Sequence, residues 1–168
     1  MTVGWLDRLF TPAAQPIGEV RPGQRVVVRG RVVPRDLIDS PLDGLRCVHY
    51  HFLVEGWHAP SILFPGAGGT WNVTHQDEAI AEFYLRDETG TLIVAPERAT
   101  VTHRPFTPQY TDLERVSEAT IVPGDLVEVT GQAEEVDDLL DGERSYRQET
   151  RRLVLRAPAG GWLRIRKL

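Results

Sequence analysis

A β-hairpin signal near the middle of the chain constrains the fold more than any other feature. Residues 83–96 (FYLRDETGTLIVAP) contain two short runs rich in aromatic and β-branched residues, and residues 87–90 between them have the composition of a turn. Similar short runs stand on both sides of this segment, and no recognised catalytic motif accompanies them. The chain is therefore expected to consist mainly of strands joined by tight turns.

Two further strands follow turns of similar sequence. RPGQ precedes a predicted strand over 25–33, and VPGD precedes one over 126–132. Each strand has an apolar run followed by a glycine, Gly30 or Gly131. The repetition indicates either an internal duplication or the same structural requirement at two places in the fold. That requirement is a turn, a half-buried strand and a glycine where a barrel bends. Strands are also predicted over 46–54, 144–156 and 162–166.

This arrangement predicts a mainly β fold, an OB-like (oligonucleotide/oligosaccharide-binding) and partly open β-barrel. One short helix is predicted over 111–119, with an N-terminal cap at Thr111 or Asp112. Residues 1–16 are assigned to an amphipathic N-terminal segment and linker that begins with a short helix. Residues 17–168 are assigned to a single domain, because that length can bury a substantial core without disulfides or metal.

Charge and cysteine content narrow the functional classes. The formal net charge of −5 disfavours nucleic-acid binding, which depends on a basic surface, although a local basic stripe can occur on an acidic protein. Cys47 is the only cysteine, so neither an intrachain disulfide nor a zinc site with several cysteines can form. No secretory leader and no transmembrane segment are predicted, and a reducing cytoplasm is the expected location.

Aromatic residues in irregular segments are the candidate partner-binding residues. Residues 56–79 are predicted as a long loop, in which Trp57, His58 and Trp71 form an aromatic surface or anchor the loop to the barrel. Near the N-terminus, Trp5 and Phe10 stand at helical spacing with Leu6 and Leu9. That segment either caps the core or docks on a partner, and residues 3–10 offer a peripheral membrane contact.

A Cys-x-His-x-His triplet is the weak candidate for metal binding. Cys47, His49 and His51 alternate along a predicted strand and would project from one face, and their atoms are capable of holding zinc. Neighbouring same-face side chains are about 6.5 Å apart on one strand, however, so a single strand rarely supplies three ligands. Structural roles are preferred for all three, and no cofactor and no catalytic residue is predicted.

Four segments together resemble one known family. VVVRGRV at 26–32, SPLDGLRCVHY at 40–50, the hairpin at 83–94 and IVPGDLVEVTG at 121–131 are similar to the GIDE domain, also called BAM ("beside a membrane"). The Ser-Pro-x-x-Gly-x-x-Cys-x-x-Tyr element is the most specific part, and the resemblance covers residues 18–160. The domain occurs in bacterial proteins and in mitochondrial and plastid RING-type ubiquitin ligases, between two membrane helices.

The resemblance implies a module that recognises a substrate, partner or ligand. It does not carry over ubiquitin-ligase activity or membrane anchoring, because one cysteine cannot build a RING and no membrane helix is predicted. The first functional hypothesis is thus a non-enzymatic module that binds a protein through barrel loops and an exposed strand edge.

Two other functional classes stay open. A protein that binds single-stranded nucleic acid would need aromatic platforms and a basic groove, for which Tyr50, Phe52 and Tyr84 are candidates. A basic excess in the last quarter of the chain forms either a solvated face or an anion-binding surface: Arg144, Arg147, Arg151, Arg152, Arg156, Arg164, Arg166 and Lys167. The third class is a metal-dependent enzyme using Cys47, His49 and His51.

Overall fold

The structure is a computed structural model, and it describes residues 13–59, 68–103, 108–111, 113–137 and 151–168. In these ranges the protein is mainly β, as predicted. The predicted N-terminal helix, together with Trp5 and Phe10, lies outside them.

The secondary structure of the described residues comprises one 3-10 helix, Ile17–Glu19, and thirteen strands: β1 Arg25–Pro34, β2 Ile38–Asp39, β3 Arg46–Cys47, β4 His49–His58, β5 Thr70–Ile80, β6 Phe83–Arg86, β7 Thr91–Val94, β8 Ala99–Thr102, β9 Gln109–Tyr110, β10 Glu114–Ile121, β11 Leu126–Asp137, β12 Arg151–Arg156 and β13 Leu163–Lys167.

The contacts group into two compact units made of interleaved segments. The first unit takes Met1–Asp36, Ala81–Thr102 and Pro123–Leu168, and the second takes Leu37–Ile80 and His103–Val122. The assignment of residues 17–168 to a single domain stays a prediction. Within the described ranges, no helix has the length and apolar character needed to cross a membrane.

The first unit contains a closed five-stranded β-barrel. Its strands follow the order β1-β6-β7-β12-β11, and β11 pairs with β1 to close the ring. All of these pairings are antiparallel except that of β7 with β12, which is parallel. The longest strand, β11, continues the sheet through β13, which in turn pairs in parallel with β8.

Alternation along the barrel strands separates interior from exterior side chains. On β6, Phe83 and Leu85 are fully buried, whereas Tyr84 is half-buried and Arg86 is exposed. Registered partners show the same parity, since Leu85 faces Leu92 and Phe83 faces Val94. Burial of such apolar side chains is the main stabilising contribution to this unit. The buried apolar residues of the barrel strands on this interior parity are Val26, Val28, Val32, Phe83, Leu85, Leu92, Val94, Val127, Val129, Ala133 and Leu155.

The two strands that follow the Pro-Gly turns pair with each other. β1 and β11 pair at seven registered positions. The turn that precedes each strand also donates a hydrogen bond to the other strand, at the end of the paired region. Gly23 N–H donates to Ala133 O (2.8 Å), while Gly124 N–H donates to Val32 O (2.8 Å). Both turn glycines have positive φ, 83° and 91°, which other residues rarely adopt. The repeated sequence therefore encodes two equivalent closures of one strand pair.

The glycines at the ends of the two repeats stand where backbones approach closely. A Cβ on Gly30 would lie 2.6 Å from the carbonyl oxygen of Arg86, and one on Gly131 would lie 2.8 Å from that of Arg156. Each position thus requires glycine if the neighbouring strand is to keep its place. The close approach of a neighbouring strand therefore accounts for the glycine at the end of each repeat.

The central hairpin forms as the sequence predicts, with β6 and β7 joined by a turn that Asp87 organises. The Asp87 carboxylate accepts hydrogen bonds from the backbone N–H groups of Thr89 and Gly90 and from the Thr89 hydroxyl. It also accepts one from Ile17 N–H at 2.8 Å, which fixes the 3-10 helix to the hairpin. Burial raises the pKa of Asp87, but these hydrogen bonds outweigh it and the net pKa is lowered.

The second unit contains a four-stranded antiparallel sheet and a two-stranded one. The larger sheet has the order β5-β4-β10-β9, and β2 pairs with β3. The strand predicted over 46–54 forms as β3 and β4, interrupted at Val48. Two other predictions for this part of the chain are wrong.

The long loop predicted over 56–79 is mostly strand. β4 continues to His58 and β5 covers Thr70–Ile80. Because β5 is exposed along most of its length, its sequence carries few apolar residues and lacks the alternation that marks a half-buried strand.

The short helix predicted over 111–119 is also wrong, because residues 114–121 form strand β10. Eight registered positions join β10 to β4. Val116 and Thr120 have the four-residue spacing of a helix, but β-branched residues suit a strand equally well. Pairing with a neighbouring strand decides such cases, since local propensity is weak.

We expect Asp87→Ala to lower the free energy of unfolding by about 1–3 kcal/mol, because three backbone N–H groups lose their acceptor. Since the folded-state pKa of Asp87 is lowered, its contribution is complete above the unfolded pKa of about 3.9 and is lost as the pH falls through the folded value. Urea denaturation of both forms at neutral and acidic pH measures the effect. Glu88→Ala, an exposed neighbour, is the control, and an equal loss in both variants would contradict the assigned role.

Candidate functional site

The predicted partner-binding aromatics of the second unit lie together at one end of its four-stranded sheet. Trp57 on β4 and Trp71 on β5 are registered partners, and their ring centroids are 5.3 Å apart. Tyr110 on β9 extends the group, with its ring 6.1 Å from that of Trp71 in an edge-to-face arrangement. We call Trp57, Trp71 and Tyr110 the aromatic row. His58 is exposed beside Trp57, and no ring contact joins it to the row.

A bidentate ion pair stands beside the aromatic row. Arg115 on β10 donates through Nε and Nη2 to both carboxylate oxygens of Glu55 on β4, its registered neighbour. The Arg115 hydrogen bond lowers the pKa of Glu55, against a smaller opposing effect of burial. The guanidinium carbon also lies 5.1 Å from the Trp71 ring centroid, within cation–π range. The two charges neutralise each other, and the pair holds Trp71 in position.

The surface around the aromatic row is apolar and accessible. Trp57 is 39% exposed and Tyr110 is 64% exposed. Two aliphatic side chains nearby are also exposed: Val73 on β5 (56%) and Leu113, which directly precedes β10 (65%). Trp57 N–H donates to Leu113 O at 2.8 Å, which places that leucine at the same end of the sheet. Exposed apolar side chains that cluster in this way mark interaction surfaces more often than isolated ones do.

Sequence reasoning missed Tyr110, Leu113 and Val73. The first two flank or fall within the segment predicted as a helix, and Val73 falls within the predicted loop. A strand period over 109–121 would have placed Tyr110 and Arg115 near the two tryptophans, but only after the pairing of β10 with β4 was known.

Gly69 positions the indole of Trp57. A Cβ built on Gly69 would overlap that ring and approach the backbone of His58. Only glycine therefore allows the chain entering β5 to pass against Trp57. This contact also explains a glycine in the segment predicted as a long loop.

Strand β5 forms an edge of its sheet. Its eleven residues pair with β4 on one side, and no described strand pairs with the other side. A register irregularity between Val54 and Glu55 interrupts the pairing, and Asp77 and Glu78 follow toward the far end. Bulges and charges are the usual protection of an exposed edge, so the half that carries Trp71 and Val73 is the less protected half.

The residues of the Cys-x-His-x-His triplet have three separate protein partners. Cys47 Sγ lies 3.6 Å from Ile38 O, and burial raises the pKa of its thiol. His49 Nε2 is 3.0 Å from Glu78 Oε1, and His51 Nε2 is 3.0 Å from the amide nitrogen of Gln76. In the described part of the chain, no group of three His, Cys, Asp or Glu side chains is placed to hold one metal ion.

The three aromatic platforms considered for nucleic acid belong to different units. Tyr50 donates to Asp77 (2.9 Å) and Phe52 contacts the His75 ring edge-on, both within the second unit. Tyr84 belongs to the barrel of the first unit and lies on its exterior parity.

We expect a lowered pKa for the fully buried His49. Burial lowers the pKa, and the nearby Glu78 carboxylate only partly offsets that effect. The unfolded chain then takes up a proton below about pH 6.5 that the folded chain does not, so stability falls as the pH drops below that value. Urea denaturation between about pH 7.5 and 5.5 should show this loss of stability.

His49→Phe supplies the control, because a ring can still stack on His103, whose centroid is 4.7 Å away. The pH-dependent loss should shrink in this variant, and imidazole NMR of the wild type should place the His49 pKa below 6.5. An unchanged pH dependence together with an ordinary NMR pKa would contradict the assignment.

Comparison of the chain with protein-family models, with curated proteins and with solved structures gave no match. The GIDE/BAM resemblance thus stays a prediction carried by the four sequence segments.

Proposed function

We propose that the chain is a binding module that recognises an extended segment of a protein partner at the exposed edge of β5, beside the aromatic row. One observation carries this proposal: the less protected half of an eleven-residue edge strand adjoins exposed Trp57 and Tyr110. The proposal assigns no catalytic step to the chain.

The barrel supports an OB-like scaffold for such a module. Its closed order β1-β6-β7-β12-β11, with one parallel pair, is the order expected of a five-stranded OB barrel. The second unit is built from the segments between β1 and β6 and between β8 and β11. Recognition by segments inserted into a barrel agrees with the resemblance to a GIDE/BAM recognition domain.

Strand addition suits the backbone of β5. An edge strand presents N–H and C=O groups to which an extended peptide can pair, while neighbouring pockets select alternate side chains. Asp77 and Glu78 disfavour pairing at one half, so the peptide is expected opposite Thr70–Val73.

The aromatic row supplies selectivity for apolar side chains. Tryptophan and tyrosine carry much of the binding energy in many protein interfaces, since they bury a large area and lose little side-chain entropy. The Glu55–Arg115 pair is already neutralised within the sheet, so a charged partner residue gains little there. A peptide rich in aromatic or β-branched residues fits this surface best.

The test is to select peptides from a phage-displayed random library against the full chain and to measure their affinity by isothermal titration calorimetry. Trp57→Ala should weaken binding at least about tenfold, as expected for a central aromatic anchor. N-methylation of alternate backbone nitrogens in the peptide should abolish binding, because strand addition needs those donors.

Trp162→Ala is the matched control, since Trp162 belongs to the first unit and is 60% exposed. Its affinity should equal that of the wild type. Equal affinities for the two tryptophan variants, or a library that yields no binding peptide, would overturn the proposal.

A further inference from the structure

The net negative charge of the chain falls within the sequence of the second unit. The ranges of that unit, 37–80 and 103–122, contain eight acidic and three basic residues, which gives a net charge of −5 with histidine neutral. The ranges of the first unit contain sixteen acidic and sixteen basic residues, so their net charge is zero. The β5 edge proposed for protein recognition therefore belongs to an acidic unit.

Two adjacent acids, Asp77 and Glu78, stand on the edge strand itself. Both are exposed, and within the described ranges no lysine or arginine lies within ion-pair distance of either. The unit also has exposed acids away from this edge, Asp43 in a turn and Glu114 on β10. What distinguishes Asp77 and Glu78 is their position on a strand that can still accept a pairing partner.

A bulge in β5 places Glu78 on the same face of the sheet as the aromatic row. The register between β5 and β4 shifts at Thr74, whose hydroxyl donates to Val54 O at 3.2 Å. Because of this shift, Trp71 and Glu78 have registered partners six residues apart on β4, and the two side chains share one face. Asp77 lies on the opposite face. Without the extra residue, Glu78 would lie on the face opposite to Trp71.

Each carboxylate is held by one neighbour on β4 and keeps a second oxygen for a partner. Glu78 Oε1 lies 3.0 Å from His49 Nε2, and Asp77 Oδ2 accepts a hydrogen bond from the Tyr50 hydroxyl at 2.9 Å. No described group bonds to Glu78 Oε2 or to Asp77 Oδ1. Burial lowers the pKa of His49, so its imidazole is neutral at neutral pH and does not cancel the charge of Glu78.

These charges select among the possible occupants of the edge. A nucleic acid or an anionic lipid surface would be repelled. A second copy of β5 contains acids but no lysine or arginine, so it offers no complementary charge. A segment with basic residues gains attraction at the end of β5 where other segments are disfavoured, and such a difference in affinity is what specificity requires.

We propose that the partner segment recognised at β5 is basic, with two consecutive lysine or arginine residues that pair with Asp77 and Glu78. Consecutive positions are needed because neighbouring side chains of a strand point to opposite faces, as the two carboxylates do. All described pairings of this sheet are antiparallel, and an antiparallel segment opposite Thr70–Val73 carries the basic pair on the N-terminal side of its apolar residues. This inference rests on the function proposed above.

The experiment is a selection from the phage-displayed random library with the wild-type chain and, in parallel, with Asp77→Asn/Glu78→Gln. This variant keeps the hydrogen-bond acceptors for Tyr50 and His49 and removes both charges. Peptides selected by the wild type should have basic residues at the two positions before their apolar alternation at least about threefold more often than peptides selected by the variant.

Calorimetry on the tightest wild-type peptide measures the contribution of its charges directly. Replacing its basic pair by glutamine should weaken binding to the wild type about three- to tenfold at about 50 mM salt, as expected for two exposed ion pairs. At about 1 M salt, where the Debye length is about 3 Å, the difference should fall below about twofold. The Asp77→Asn/Glu78→Gln variant should bind both forms of the peptide equally.

Asp39→Asn/Asp43→Asn is the matched control, because it removes the same charge from exposed positions of the same unit outside the four-stranded sheet. It should retain the wild-type preference for the basic peptide, and circular dichroism should show that all three proteins are folded.

Two results would overturn this inference and leave the proposed function intact: selected peptides without an excess of basic residues, and equal binding of the basic and glutamine peptides by the wild type. An equal loss of preference in the two double variants would also overturn it, since net charge alone would then explain the preference. A library that yields no binding peptide would overturn the proposed function itself, and this inference with it.

Discussion

The antiparallel pairing of β1 with β11 is the interaction on which the rest of the barrel depends. It joins the first described strand to one a hundred residues later, and it turns an open run of strands into a closed ring. Two Pro-Gly turns close it at both ends, each donating from its glycine to the opposite strand. The loop-closure entropy of such long-range pairing exceeds that of the β6–β7 hairpin, whose Asp87 turn is local in sequence.

The sequence was sufficient for the individual strands of the barrel because each of them has a local signal. The hairpin has a turn that its own carboxylate stabilises, and the two repeats have glycines that close backbone contacts require. Alternation then distinguishes interior Phe83 and Leu85 from exterior Tyr84 and Arg86. The sequence could not show which strands pair with each other, and it therefore could not predict the closure of the ring.

The second unit was harder to predict for a physical reason. Its sheet is half-exposed, so β5 lacks the apolar alternation of a core strand and β10 has a sequence equally compatible with a helix. For the candidate site, the sequence identified Trp57 and Trp71 as candidate partner-binding residues but assigned them to a loop. Tyr110 and Arg115 join them only through strand pairing, which no local pattern encodes.

The same dependence on pairing decides which charged side chains meet on the exterior of the barrel. Net charge averages over the whole surface, whereas registration places Arg31 opposite Arg86 and sets Tyr84 beside Ile93. Opposed arginines weaken a sheet unless something compensates them, and here the compensation is not a described carboxylate. Elsewhere in the barrel unit, Glu128 serves both Arg29 and Arg166, so the chain has the means to neutralise such charges. Composition alone could not reveal which of these charges the sheet places together.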